Sequence, residues 1–81
     1  MKEVIRAEMV ANVLEVSVSL GDSVSIGDTL LLLESMKMEI PVLSEFEGEV
    51  TDVGVAAGDV IQEGDPLIAI ETSGQSERKK Q

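Results

Sequence analysis

The sequence predicts an all-β fold, a flattened barrel or sandwich made of two matching halves. Three observations predict it. The chain repeats itself, its apolar residues alternate in short runs, and Gly-Asp pairs punctuate those runs. No stretch carries a helical period with caps.

The repeat organises everything else. Shifting the chain by 37 residues lays Glu8–Glu34 on Glu45–Glu71 without a gap, and ten of the 27 pairs are identical. A valine-rich composition explains Val13/Val50, Val16/Val53 and Val18/Val55. It does not explain two Gly-Asp pairs in register, Gly21-Asp22 with Gly58-Asp59 and Gly27-Asp28 with Gly64-Asp65. Two matching halves imply a pseudo-two-fold axis.

Each half reads alike. Val13–Val18 and Val50–Val55 alternate with β-branched residues, the pattern of a strand with one buried face. A Gly-Asp turn follows, then a short piece carrying Val24 or Ile61, then a second Gly-Asp turn. Glycine supplies positive φ there and aspartate closes the turn through its side chain. A dense apolar strand ends each copy, Thr29–Glu34 and Pro66–Thr72. Counting runs between turns gives about four strands per half. The expected core is Val13, Val16, Val18, Val24, Leu31, Leu33, Val50, Val53, Val55, Ile61, Ile68 and Ile70. Residues 1–73 read as one domain with quasi-repeats at 4–40 and 41–73, and the polar residues 74–81 as a disordered tail.

Composition narrows the function. The chain has 81 residues, no Cys, no His and a net charge of −10. It offers no thiolate and no imidazole, so little from which to build a catalytic site. The acidic balance repels phosphate backbones and anionic lipid, so neither nucleic acid nor a membrane is expected as partner. The charged N-terminus is not a signal peptide, and a cytoplasmic location is expected. The six basic residues are Lys2, Arg6, Lys37, Arg78, Lys79 and Lys80, which leaves Lys37 as the single amine between residues 7 and 77.

Lys37 stands at the joint of the halves. The apolar strand ends at Leu33-Glu34 and a new one begins near Glu39-Ile40-Pro41-Val42, so Ser35-Met36-Lys37-Met38 must reverse the chain. This hairpin should project from one end, with both termini near the other. In a strand, Met36 and Met38 would share a face opposite Lys37. In a tight turn all three are exposed.

Here the chain resembles the biotinyl domains of biotin-dependent carboxylases. Glu34-Ser35-Met36-Lys37-Met38 is similar to that family's Glu-Ala-Met-Lys-Met attachment motif, with Ser35 where alanine is usual. The Gly-Asp-x-Val-x-x-Gly-Asp-x-Leu pattern at residues 21–30, echoed at 58–67, is also similar. The resemblance covers about residues 3–72. It implies a barrel-sandwich hybrid of two four-stranded antiparallel sheets, with the modified lysine at a hairpin tip. It implies that a biotin protein ligase acylates Lys37 from biotinyl-adenylate, with Met36 and Met38 as flanking recognition residues and Glu34 and Ser35 as the rest of the motif. A biotin carboxylase would then load carboxylate and a carboxyltransferase would remove it. Such a chain is a carrier and not an enzyme, and biotin supplies the carbon chemistry.

Departures from the family pattern are local. Glu8 and Ala11 stand where the first half usually has Pro and Gly, while the second half keeps Gly48. The ungapped register leaves no room for the "thumb" inserted in the carrier subunit of bacterial acetyl-CoA carboxylase. The chain therefore resembles the small stand-alone biotin/lipoyl attachment proteins, expected to be monomeric. A lipoyl carrier, with lipoate on Lys37, is the alternative reading, though lipoyl motifs typically lack methionine on both sides. An unmodified interaction module is a further alternative. No catalytic or metal site is expected: nothing completes a Ser35/Lys37 nucleophile pair, and Glu45, Glu47 and Glu49 alternate as a solvated strand face.

Overall fold

The computed structural model describes residues 1–72, so the expected disordered tail at 74–81 lies outside the described residues. Eight strands follow one another: β1 (Lys2–Arg6), β2 (Ala11–Val16), β3 (Ser23–Val24), β4 (Thr29–Ser35), β5 (Met38–Leu43), β6 (Gly48–Val53), β7 (Val60–Ile61) and β8 (Pro66–Glu71). They form two four-stranded antiparallel sheets, ordered β1-β8-β6-β3 and β5-β4-β2-β7. Exchanging strands four apart turns one order into the other, so the repeat in sequence is a two-fold in space. Pro41, which cannot donate to a ladder, lies in β5 at a sheet edge, where that defect is tolerated.

The halves clasp each other through the Gly-Asp turns. Each aspartate Oδ2 accepts a backbone N–H three residues earlier, from Ser19, Ser25, Ala56 or Gln62, at 2.8 Å in every case. The preceding glycines hold φ of 90° to 98°, which L side chains rarely adopt. Each turn then exchanges two backbone hydrogen bonds with a residue of the opposite half. Gly21 N–H donates to Val50 O and Val50 N–H to Asp22 O, both at 2.8 Å. Gly58 and Asp59 do the same with Val13, Gly27 and Asp28 with Ser44, and Gly64 and Asp65 with Ala7. The Gly N–H and Asp carbonyl of every turn are thus satisfied only by the other half.

The core departs from strict alternation. Val13 and Val16 are three apart, as are Val50 and Val53, so the apolar phase slips once in each copy. The strand registers shift at those places, between Val13 and Glu15 against β4 and between Val50 and Asp52 against β8. Each shift is a bulge that adds a residue to one strand. Beyond it Val16, Val18, Val53 and Val55 reach only the rim of the core and are half-buried, less than the sequence reading expected. Leu30 and Leu67, absent from the expected set, are fully buried. Both are skipped in a strand register, Leu30 between Thr29 and Leu31 opposite β5, Leu67 between Ile68 and Pro66 opposite β1. Irregularity there lets consecutive side chains, Leu30-Leu31 and Leu67-Ile68, both turn inward.

One glycine is required for space. A Cβ on Gly48 would overlap the carbonyl oxygen of Glu71 and lie 2.9 Å from Ile70 Cγ2. Ala11, its mate in the first half, is buried and pairs with Ile61 as Gly48 pairs with Val24.

Candidate functional site

Strands β4 and β5 end in the pair Ser35–Met38, leaving Met36 and Lys37 as a two-residue turn. Their φ values are 54° and 66°, both positive. Two positive φ values define the hairpin turn whose twist matches that of the flanking strands. That turn normally uses Asn-Gly, because Cβ crowds the following carbonyl by roughly 1 kcal/mol per residue in this region. Among the described residues no other non-glycine has positive φ. The strain is thus confined to the two residues at the apex.

The turn puts the side chains outward. Met36 is 90 % exposed and Met38 61 %, and Lys37 is exposed between them. Such exposure of methionine buries nothing, so the core does not call for it. Below the apex, Ser35 Oγ donates to Val10 O at 3.2 Å and ties the hairpin to the β1–β2 connection. An alanine there could not. Glu34 is half-buried, facing Asn12 on one side and Glu39 on the other.

The cations differ in their engagement. The N-terminal ammonium pairs with Glu71 at 2.6 Å and Lys2 with Asp52 at 2.9 Å. Arg6 donates to Gly64 O at 3.0 Å. The hydrogen bond from Lys2 to Asp52, and that carboxylate's charge, raise the Lys2 pKa above the usual lysine value. Lys2 is thereby kept further from the free amine that acylation needs. Among the described residues Lys37 joins no ion pair.

A shallow cleft of about 530 Å³ lies beside the apex. Glu34, Ser35, Met36 and Lys37 form one wall, and Val10, Ala11, Asn12 and Val60 the other. Val60 reaches it because β7 pairs with β2, Asn12 opposite Val60. Sequence reasoning did not find Val10, Asn12 or Val60. The available signal was asymmetry in the repeat: Val10 aligns with Glu47, Asn12 with Glu49 and Val60 with Ser23.

The structure offers little for catalysis. Ser35 Oγ is engaged with a backbone carbonyl and not with Lys37. Glu45, Glu47 and Glu49 are exposed before and within β6, and among the described residues no three metal-ligating side chains cluster. What the geometry provides, among the described residues, is one primary amine outside any ion pair, on a projecting turn.

Comparison with known proteins agrees with that geometry. The family described as biotin-requiring enzyme matches residues 3–70. A biotinylated protein TB7.3 homolog of Mycobacterium leprae is 65% identical over 48 residues, covering 59% of this chain and 68% of the relative. The homolog from Mycolicibacterium smegmatis is 68% identical over 44 residues, covering 54% and 62%. A biotin/lipoyl attachment protein of Bacillus subtilis is 42% identical over 41 residues, covering 51% and 56%. Among solved structures, a single-chain, multi-domain long-chain acyl-CoA carboxylase superposes with a TM-score of 0.78 at 31% identity, over 84% of this chain and 7% of that one. The urea carboxylase of Kluyveromyces lactis superposes with a TM-score of 0.81 at 27% identity, over 88% and 6%. This chain therefore corresponds to a small part of each carboxylase.

Proposed function

Because the chain belongs to the family of biotin-requiring enzymes, its fold shared with segments of two carboxylases, we propose that it is a biotin carboxyl carrier with biotin held in amide linkage on Lys37. The observation that carries this is the contrast between amines. Lys37 is exposed and outside any ion pair among the described residues, on a turn that only it and Met36 occupy, while Lys2 and the N-terminus are tied to carboxylates. The site fits the group, because a projecting apex gives a ligase access from several sides and the cleft beside it leaves room for the arm.

Attachment is an acyl transfer. As the free amine, Nζ of Lys37 attacks an activated biotin carboxyl, an amide forms, one proton leaves and the adenylate departs. Met36 and Met38 present adaptable apolar contact to the ligase on either side of the acceptor. The turn holds the backbone still, and the four-carbon lysine stem supplies reach. Bound biotin supplies the nitrogen that takes up and gives back carboxylate. The chain itself catalyses nothing. It keeps the arm at high effective concentration near its partners, a biotin carboxylase and a carboxyltransferase. A monomer in the cytoplasm suits that traffic.

The test is co-expression with a biotin protein ligase, followed by intact mass and peptide mapping. Mass added at Lys37 and matching biotin supports the reading, and no addition under active ligase sinks it. The relative named as a biotin/lipoyl attachment protein keeps lipoate as the second reading, which the added mass separates from biotin.

A further inference from the structure

The two-fold supplies an internal control for every surface residue. Each position near the hairpin has a mate near the chain termini, in the same local fold but far from Lys37. Val10 is 62 % exposed and Val60 is 67 % exposed. Their mates Glu47 and Ser23 are also exposed, yet polar. Asn12 is exposed and neutral where its mate Glu49 is charged. The fold therefore does not require valine at 10 or 60, or a neutral residue at 12. Other apolar side chains, Leu20 and Ile26 among them, are exposed elsewhere, but at these three positions an acidic chain has neutral or apolar residues beside Lys37 where the mates are polar or charged. The three residues converge with Lys37 on one cleft.

We propose that this cleft is a resting site for the arm on Lys37: the apolar chain of the attached biotin lies against Val10 and Val60, and the Asn12 amide meets the polar ureido ring. The inference rests on the carrier reading above. Two features favour the arm over other occupants. Lys37 is itself part of the cleft wall, so anything joined to Nζ stays near it at an effective concentration in roughly the mM range, and weak contacts suffice. The lining also matches such an arm in kind, since valine methyls suit methylene groups and a primary amide both donates and accepts, as a ureido group does. The resting arm is released whenever a partner offers a better site.

The experiment compares unmodified and biotinylated protein, each verified by intact mass, using methyl and amide NMR. Biotinylation should move the Val10 and Val60 methyl and Asn12 side-chain amide signals, and nuclear Overhauser contacts should join the arm's methylene protons to both valines. The variant V10E/V60S places the mates' residues at these positions, so its fold is matched by the other half, and its melting temperature verifies this. In biotinylated V10E/V60S those contacts should vanish, and streptavidin capture should be faster than for the native protein. Biotin confirmed by mass but without signal changes at Val10 and Val60 would overturn the resting site and leave the carrier reading standing. Changes that arise only on adding a carboxylase, or failure of the ligase to modify V10E/V60S, would make the patch a protein-docking surface and also overturn it. No biotin on the native protein would remove both readings together.

Discussion

Met36 and Lys37 are neighbours that both hold left-handed backbone, and they form the whole of the turn that exposes the Lys37 amine. Local strain and the proposed modification site coincide. Strain at a functional position persists when the flanking structure fixes it, as the β4–β5 ladder does here.

Relieving that strain should be measurable. Met36→Gly removes a Cβ from a positive-φ position, and is expected to leave stability unchanged or raise it by up to about 1 kcal/mol. Ligase turnover should fall, because an exposed methionine beside the acceptor is lost. Thermal unfolding together with a biotinylation time course checks both, and a clear fall in melting temperature would contradict the turn assignment.

Lys37→Arg should abolish biotinylation while changing stability by less than about 0.5 kcal/mol, since the side chain is exposed and joins no ion pair among the described residues. Streptavidin blotting and melting temperature read the two effects separately. Label surviving in this variant would move the site elsewhere.

Gly48 and Ala11 are mates with unequal tolerance. Gly48→Ala pushes a methyl into the Glu71 carbonyl and should cost about 1–3 kcal/mol. Ala11→Gly should cost about 1 kcal/mol through chain entropy and lost contact. Urea unfolding of both variants ranks them, and equal costs would show that the Glu71 backbone yields.

The four turn aspartates share one geometry. Alanine at Asp22, Asp28, Asp59 or Asp65 removes one side-chain hydrogen bond and should cost about 1 kcal/mol each. A series scattered over several kcal/mol would show that the turns are not equivalent.

Because each turn clasps the opposite half, the halves should unfold together. The amides of Ala7, Val13, Ser44 and Val50, which donate across the two-fold, are expected to exchange with similar protection close to that of global opening. A peptide of residues 1–37 should stay unfolded by circular dichroism. Independent folding of that peptide would refute the interlock.

Much of this was legible in the sequence. The Gly-Asp echoes gave the two-fold, the strand count and the aspartate-closed turns, and the joint placed Lys37 on a hairpin. What stayed hidden depended on distant pairing. Leu30 and Leu67 sat in dense apolar strands without a place in the expected core, and register shifts turn them inward beside Leu31 and Ile68. The slip from Val13 to Val16 was visible as a spacing of three, but only the β2–β4 ladder shows that a bulge absorbs it. Val60 joins the Lys37 cleft through its pairing with Asn12, which no local pattern announces. The positive φ of Met36 and Lys37 was hidden because neither is a residue type that favours it.

The hairpin has a counterpart where the start of β1 meets the residue that follows β8. Thr72 N–H donates to Met1 O at 2.7 Å, the place in the two-fold that Ser35 and Met38 occupy in the other half. Replacing residues 73–81 by a two-residue bridge from Thr72 to Met1 would close the barrel into a ring with two equivalent apices. Cutting such a ring at Met36-Lys37 yields a circular permutant of the same barrel, and writing Met-Lys into the bridge yields a scaffold with a second acceptor amine. The chain can thus be rewired or made bivalent without redesigning its core.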